Sequence, residues 1–167
     1  MLAWGNLSRG DDALGPLFVD RVQRQAASVL EPAQEPYVEC VLDFQLQVEY
    51  ALDLVGRERV LFVDAARAGP EPFSATPLDA AWDPTYTTHE LSPAALLHVC
   101  RTVLHTPPPP AWLLGIRGYR WELGEDPTPG ALANLDAALG WFDRWLADAS
   151  APPLPAAVSR IGGGSLS

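Results

Sequence analysis

The sequence predicts an α/β fold, a three-layer α/β/α sandwich built around a mostly parallel, twisted sheet of about five strands. Short apolar runs typical of buried strands alternate with segments whose apolar residues recur at helical spacing. Glycine and proline separate these segments, as they do at the turns of alternating strands and helices. The length of 167 residues suits one domain with a sizeable hydrophobic core.

Residues 1–148 are predicted to form this single domain, and residues 149–167 are predicted to be a disordered tail. The tail is rich in proline, glycine, alanine and serine and carries few large apolar side chains. Such a composition cannot bury enough apolar surface to offset the conformational entropy that folding removes.

The composition excludes several classes of function. The chain has 21 acidic residues against 11 basic ones, all arginine, and a net charge of −10, which argues against binding to nucleic acid. No signal peptide and no apolar run of about 18 residues is found, so we expect neither export nor a membrane partner. Cys40 and Cys100 are isolated and have no Cys-x-x-Cys spacing, which favours reduced thiols in the cytoplasm.

The first half of the chain is predicted to contain three strands and two helices. Residues 1–4 form the first strand, and helical spacing follows over residues 14–30. A second strand over residues 37–42 ends in Asp43, and a second helix covers residues 45–55. The continuous apolar run 60–63 is typical of a central strand buried on both faces.

The second half continues the alternation. Residues 73–78 are predicted as an edge strand, because a strand that contains proline is tolerated only there. Ser92 followed by Pro93 predicts the start of a helix that runs to about residue 104. Thr128 followed by Pro129 predicts the start of the last helix. Between them a buried strand covers residues 111–116, and residues 119–123 are predicted to extend it as a ribbon.

Two adjacent acids, Asp11 and Asp12, stand where the glycine-rich turn after the first strand leads into the first helix. One acid in a first helical turn is usually a cap that complements the helix dipole. Adjacent helical positions point about 100° apart, so only one of the two can be the cap. The other is free to face the crevice beyond the strand ends, where ligands bind in open parallel sheets.

Asp64 and His89 are the other candidates for chemistry. Asp64 follows the most apolar strand, where a carboxylate is costly unless it is hydrogen-bonded or used. The structural alternative is that Asp64 bonds neighbouring backbone N–H groups. His89 lies in a loop just before Ser92; a lone loop histidine is most often a surface group, but this one is predicted to lie near two carboxylate-bearing loops.

These motifs together resemble those of the hydrogenase maturation proteases. The likeness covers roughly residues 1–147, and the motifs occur in the same order along the chain. They are Gly5-Asn6, Gly10-Asp11-Asp12-Ala13-Leu14-Gly15, Val63-Asp64-Ala65, His89-Glu90-Leu91-Ser92-Pro93, Leu113-Leu114-Gly115-Ile116-Arg117-Gly118 and Glu122-Leu123-Gly124-Glu125.

The resemblance implies a five-stranded α/β endopeptidase. It would remove the C-terminal extension from the large-subunit precursor of a [NiFe] hydrogenase after nickel insertion. By position in the motifs, Asp12, Asp64 and His89 contact the metal, and Asp12 and Asp64 are also the catalytic candidates. The Ni2+ is expected to belong to the precursor, which is the protein partner. Asp11 then takes the capping role.

The resemblance also assigns Asn6 and Asp43 to substrate binding. The sequence departs from the common Asp-x-Gly-Thr element at residues 43–47, where it reads Asp-Phe-Gln-Leu-Gln. That version resembles the subgroup serving bidirectional, NAD-reducing hydrogenases. Whether nickel or a carboxylate activates the water stays open at this point.

Two other functions fit the same residues. The first is a nickel-sensing binding module on the same fold without peptidase activity. The second is a carboxylate-dependent hydrolase of small molecules, which would use the crevice but leaves the resemblance unexplained. No serine or cysteine with a base beside it is visible in the sequence.

Overall fold

The fold is organised around a five-stranded sheet. The computed structural model describes residues 1–28, 38–81 and 91–148. The strands of the sheet are β1 (Leu2–Trp4), β2 (Val41–Asp43), β3 (Val60–Ala66), β4 (Phe73–Leu78) and β5 (Ala111–Arg117). Their spatial order is β2-β1-β3-β5-β4, and only β4 runs antiparallel to its neighbour. The prediction of a mostly parallel sheet of about five strands is confirmed.

Helices cover both faces of this sheet. They are α1 (Leu14–Ser28), α2 (Ala51–Leu54), α3 (Pro93–Thr102) and α4 (Pro129–Ala147), with 3-10 turns at Gly10–Ala13 and Val48–Tyr50. Residues of α1 and α4 pack in one core cluster, and residues of α2 and α3 pack in another. The structure therefore has the three predicted layers. No helix among the described residues is long and apolar enough to cross a membrane.

The central strand β3 supplies both cores. Leu61 and Val63 face α1 and α4, whereas Val60 and Phe62 face α2 and α3. This alternation explains why the strand reads as a continuous apolar run, since both of its faces are covered. Aromatic rings complete the first core, with Phe18 edge-on to Phe142 at 5.4 Å between ring centres.

The predicted starts of α3 and α4 are confirmed. Ser92 Oγ accepts a hydrogen bond from Ala95 N at 3.2 Å, and Thr128 Oγ accepts one from Ala131 N at 3.2 Å. In both helices a proline follows the capping residue, at a position where its missing N–H has no helical partner anyway. These two signals are local, which is why the sequence revealed them.

Two predicted elements differ from the structure. The helix predicted over residues 45–55 is confirmed only in part, because the 3-10 turn Val48–Tyr50 and α2 lie within it while residues 45–47 form a loop. Asp43 binds Phe44 N and the Tyr50 hydroxyl group across this loop. The ribbon predicted over residues 119–123 is also a loop, because its first backbone N–H groups turn toward the Asp11 carboxylate.

Several predicted boundaries shift. β3 does not stop at Asp64 but continues to Ala66, and β2 begins only at Val41. The strand predicted over residues 37–42 therefore starts later, and its first residue lies outside the described residues. The end predicted for the first helix, residues 29–30, and the predicted disordered tail 149–167 also lie outside them.

Candidate functional site

The strand order places the topological switch point of the sheet between β1 and β3, and we call the space outside the carboxyl ends of these two strands the crevice. Strand β2 lies on one side of β1, and β3 lies on its other side. The direction in which the chain adds strands to the sheet therefore reverses between β1 and β3. Ligands of open parallel sheets bind outside the strand ends at such a switch point. The turn after β1 carries Asp11 and Asp12, and Asp64 lies near the end of β3.

The turn after β1 folds tightly back on itself. Gly5 has φ 140°, and a Cβ added there would lie 2.1 Å from the Asp12 carbonyl oxygen, so no other residue fits. The Asn6 N–H donates to Asp12 Oδ2 at 3.1 Å. The Asn6 side chain accepts from Ser8 N at 2.9 Å and so closes its own turn. Asn6, predicted to bind substrate, thus orients Asp12 through its backbone.

Asp12 is the less constrained of the two adjacent acids. Its side chain is partly buried, and Oδ1 accepts no hydrogen bond from any residue that the structure describes. The start of α1 is pressed against the strand ends behind it: a Cβ added at Gly15 would lie 2.3 Å from the Trp4 carbonyl oxygen and 3.3 Å from that of Val63. Asp12 therefore lies in a turn packed on the ends of β1 and β3.

Asp11 is fully buried, with 0% of its surface exposed. Its Oδ2 accepts from Tyr119 N at 2.6 Å, Arg120 N at 3.0 Å and Thr128 Oγ at 2.9 Å. Its Oδ1 accepts from Thr128 N at 2.6 Å. The expectation that Asp11 caps its own helix is therefore wrong, because every hydrogen bond of its carboxylate goes to a loop more than a hundred residues away.

These contacts set the ionisation of Asp11. Burial by itself raises the pKa of the carboxyl group, but the hydrogen bonds from Thr128, Tyr119 and Arg120 outweigh burial and leave the pKa below its ordinary value. The charged carboxylate is thus the form that the folded protein stabilises. Asp11 serves as the central acceptor of the loop between β5 and α4.

Backbone hydrogen bonds join the same two segments. Gly10 N donates to the Glu125 carbonyl at 2.9 Å, and Asp11 N donates to that of Arg120 at 2.8 Å. Gly124 N donates to the Ser8 carbonyl at 2.7 Å. Together with the Asp11 side chain, these bonds make the turn after β1 and the loop 118–128 one bonded unit at the edge of the crevice.

Asp64 lies inside β3, two residues before its end. It pairs in register with Gly115 of β5, whereas the pairing of β3 with β1 ends one residue earlier, at Val63. One carboxylate oxygen accepts from Ala65 N at 2.8 Å, which is the structural alternative considered for this residue. By strand alternation its side chain lies on the face of Val60 and Phe62, toward α2 and α3.

Asp43 ends β2 and is in register with Trp4 of β1. Its carboxylate accepts from the Tyr50 hydroxyl at 2.5 Å and from Phe44 N at 2.6 Å. The Tyr50 bond, followed by that from Phe44, lowers the pKa of Asp43, and the same bond raises the pKa of Tyr50 to about 12. Asp43 and Asp64 thus lie on the two strands that flank β1.

The structure places three of the predicted site residues at one edge of the sheet, namely Asp12, Asp64 and Asp43. His89, the third predicted metal contact, lies outside the described residues. Within residues 1–28, 38–81 and 91–148, no three histidine, cysteine or acidic side chains are grouped closely enough to hold a metal ion. The predicted metal triad stays a prediction that depends on His89.

The two thiols are unsuited to nucleophilic catalysis. Cys100 is buried in the core beneath α3, and Cys40 is partly buried; both are free thiols. Burial raises the pKa of each thiol, which disfavours the nucleophilic thiolate. Carboxylates are therefore the reactive groups that the structure describes at the crevice.

Neither a scan against protein-family profiles nor a search of curated proteins finds a match. Solved structures do match. An endopeptidase from Escherichia coli is 20% identical with a TM-score of 0.64, over 92% of this chain and 94% of that one. The hydrogenase maturating endopeptidase HybD from E. coli is 22% identical with a TM-score of 0.61, over 84% and 86%.

An archaeal structure gives the same result. The [NiFe] hydrogenase maturation protease HycI from Thermococcus kodakarensis KOD1 is 20% identical with a TM-score of 0.60, over 88% of this chain and 90% of that one. The likeness extends over nearly the whole length of both chains, so it concerns the complete domain rather than a shared motif. This chain therefore has the fold of the hydrogenase maturation endopeptidases.

Proposed function

We propose that this protein is an endopeptidase that removes the C-terminal extension of a [NiFe] hydrogenase large-subunit precursor after nickel insertion. The observation that carries the proposal is the pair Asp12 and Asp64 at the switch-point crevice of this fold. Solved proteins with the same fold are described as hydrogenase maturation proteases.

The contrast between the two adjacent acids supports Asp12 as the functional one. The Asp11 carboxylate accepts four hydrogen bonds and is wholly enclosed. Asp12 accepts one through Oδ2, and its Oδ1 accepts none from the described residues. A group that binds a ligand needs an accessible lone pair, and of these two acids only Asp12 offers one, since Asp11 is wholly buried.

In this proposal Asp12, Asp64 and His89 contact the nickel that the precursor carries. Two carboxylates and an imidazole suit a divalent first-row metal, and the remaining coordination positions are filled by the precursor's own ligands. The nickel is thus part of the substrate. The protein would recognise a loaded precursor because the three side chains alone offer few contacts to an empty one.

The protein's own contribution to hydrolysis is a carboxylate base. In this proposal the Asp12 carboxylate accepts a proton from the water as the water oxygen bonds to the scissile carbonyl carbon, and it then gives that proton to the leaving nitrogen as the C–N bond breaks. The products are a new C-terminal carboxyl group on the subunit and a released peptide with a free amino group. Asp43 would contact the precursor beside this point. The neighbouring Phe44, with 73% of its surface exposed, offers an apolar contact for the same segment.

The proposal also implies a cellular setting. This protein would encounter hydrogenase precursors in the cytoplasm, where they acquire nickel before assembly. Two free thiols, one of them in the core, are compatible with such a reducing compartment. The strongly acidic composition disfavours nucleic acid as a partner.

Incubation with the nickel-loaded precursor, followed by intact-mass measurement, tests the proposal. We expect loss of one discrete C-terminal peptide with the wild-type protein and none with Asp12→Asn or Asp64→Asn. Removing a base or metal contact should lower the rate by about 100-fold or more. Asp136→Asn is the matched control, since Asp136 is an exposed acid of α4 in a weak surface ion pair with Arg21.

Three outcomes would reject parts of the proposal. Binding of the loaded precursor without any change in its mass would select a nickel-sensing binding module instead of a protease. Equal processing of nickel-free and nickel-loaded precursor would show that the metal is not recognised. Full activity of Asp12→Asn would remove Asp12 from the site.

A further inference from the structure

Three arginines form a basic surface at the carboxyl edge of an acidic protein. The chain has a net charge of −10. Arg9 lies in the turn after β1, Arg67 directly follows β3, and Arg117 is the last residue of β5. We call these three residues the arginine ledge. The ledge borders the crevice on the β5 side, beyond Asp64.

Contacts with the loop 118–128 bring the three side chains together. The Arg67 guanidinium lies 4.2 Å from the centre of the Trp121 ring, and Arg9 Nε donates to the Trp121 carbonyl at 3.1 Å. Arg117 Nη1 donates to the Arg67 carbonyl. Its guanidinium lies 5.5 Å from the Tyr119 ring. Trp121 is thus held between two of the arginines.

No carboxylate among the residues that the structure describes forms an ion pair with any arginine of the ledge, although four other arginines have such a partner. The nearby Glu125 is engaged by Arg120 at 3.1 Å, while Glu122 and Asp126 are exposed in the same loop. Arg117 Nε is buried and has no hydrogen-bond partner in that part of the chain.

The ledge is also held in place before any ligand arrives. The loop that carries Tyr119 and Trp121 is fixed by the four hydrogen bonds to buried Asp11. A surface whose geometry is fixed in advance loses less entropy on binding. Guanidinium groups match carboxylates in shape and charge, which makes a fixed group of arginines a carboxylate-binding surface.

We infer that the arginine ledge binds an acidic segment of the precursor and holds it beside the crevice. The inference rests on the proposed function for the identity of the partner, since it places the acidic segment on the substrate of that reaction. The net charge of −10 repels any anionic ligand at longer range, and this repulsion grows with the number of charges on the ligand, so a short acidic segment is favoured over a nucleic acid with a phosphate at every nucleotide.

A binding experiment that needs no cleavage tests the ledge. The probe is a fluorescein-labelled peptide of about six glutamates, followed by anisotropy at low salt. The double variant Arg9→Gln/Arg67→Gln should bind it about tenfold more weakly than wild type. Arg21→Gln/Arg24→Gln makes the same change of net charge on α1 and should bind like wild type. Arg117 is left unchanged because it is partly buried.

The controls separate this inference from the proposed function. Equal affinity of both double variants, or no binding to wild type, would overturn the ledge. Tighter binding of a single-stranded oligonucleotide than of the peptide would overturn the choice of partner. With the nickel-loaded precursor, the ledge variant should raise KM about tenfold and leave kcat within about twofold. Absence of processing rejects the protease, whereas the peptide experiment still decides the ledge.

Discussion

The crevice has two walls that are built differently. On the β5 side, loop 118–128 is bound to the turn after β1 by the wholly buried Asp11. On the β2 side, residues 43–54 are held by Asp43, whose carboxylate is only partly buried. Both walls use one aspartate to fix the chain that follows a strand.

Burial, rather than the number of contacts alone, decides how much such a carboxylate contributes to the stability of the fold. In the folded protein, four donors replace all of the water around the Asp11 carboxylate. Removing this carboxylate would leave those donors buried without hydrogen-bond partners. Asp43 and its partners keep access to water, which replaces lost bonds at little cost. The β5 wall should therefore be rigid and the β2 wall adjustable.

Among these variants, Asp11→Ala should destabilise the protein most. It should lower the free energy of unfolding by roughly 3–5 kcal/mol, because three backbone N–H groups and the Thr128 hydroxyl lose their acceptor in a buried site. Urea unfolding at neutral pH measures the change. Asp43→Ala, the matched loss on the β2 wall, should lower it by only about 0.5–1.5 kcal/mol. Similar losses in the two variants would remove the contrast between the walls.

Thr128→Val should have the next largest effect. The hydroxyl group caps α4 through Ala131 N and also donates to Asp11, so its loss should lower the free energy of unfolding by about 1–3 kcal/mol. Ser92→Ala on α3 removes a cap whose hydroxyl group bonds only Ala95 N among the described residues, and it should lower the free energy of unfolding by about 0.5–2 kcal/mol.

A double-mutant cycle isolates the part that belongs to Asp11. The effects of Asp11→Ala and Thr128→Val should fall short of additivity, because both remove the same contact. Additive effects would mean that the Thr128 hydroxyl acts only as a helix cap. The pair Asp11→Ala and Ser92→Ala, which share no contact, should be additive and is the control.

Acid should weaken the β5 wall. The pKa of Asp11 is lowered in the folded protein, so its contribution is fully present above the unfolded value of about 3.9 and is lost as pH falls through the folded pKa. Unfolding free energies measured between neutral pH and about pH 3 should fall in the wild type. The fall should be shallower in Asp11→Asn, which has no carboxyl group to protonate at this position. Parallel curves would contradict the assignment.

The sequence predicted the fold well because its signals there are local or periodic. The alternation of Val60 to Val63 between two cores, and the capping pairs at Ser92 and Thr128, are readable from a few adjacent residues. The order of the motifs likewise predicted a crevice lined by Asp12 and Asp64. Both residues lie at the carboxyl edge of the sheet, and their catalytic role stays a prediction.

What the sequence did not predict depends on contacts between distant segments. Nothing near Asp11 indicates that its partners are Tyr119, Arg120 and Thr128, and the same contacts turned a predicted ribbon into a loop. The arginine ledge is equally invisible, because Arg9, Arg67 and Arg117 meet only through the loop that Asp11 holds. Long-range hydrogen bonds therefore account for most of the differences.

The smallest expected effect is that of Tyr50→Phe on the β2 wall. It removes the hydroxyl group that donates to Asp43 at 2.5 Å, and should lower the free energy of unfolding at neutral pH by about 0.5 kcal/mol because water reaches the carboxylate. The pKa of Asp43, now lowered chiefly by this bond, should rise toward its ordinary value, which carboxyl NMR titration measures.

The reciprocal variant Asp43→Asn completes the test of the β2 wall. The bond to Asp43 raises the pKa of Tyr50 to about 12 in the folded protein. This bond therefore stabilises the folded state fully below the unfolded tyrosine pKa of about 10, and its contribution is lost as pH rises through 12. In Asp43→Asn, the Tyr50 phenol should titrate nearer 10, as followed by phenolate absorbance with Tyr50→Phe as the blank. An unchanged titration would mean that burial, rather than Asp43, holds the phenol neutral, and that the β2 wall is as enclosed as the β5 wall.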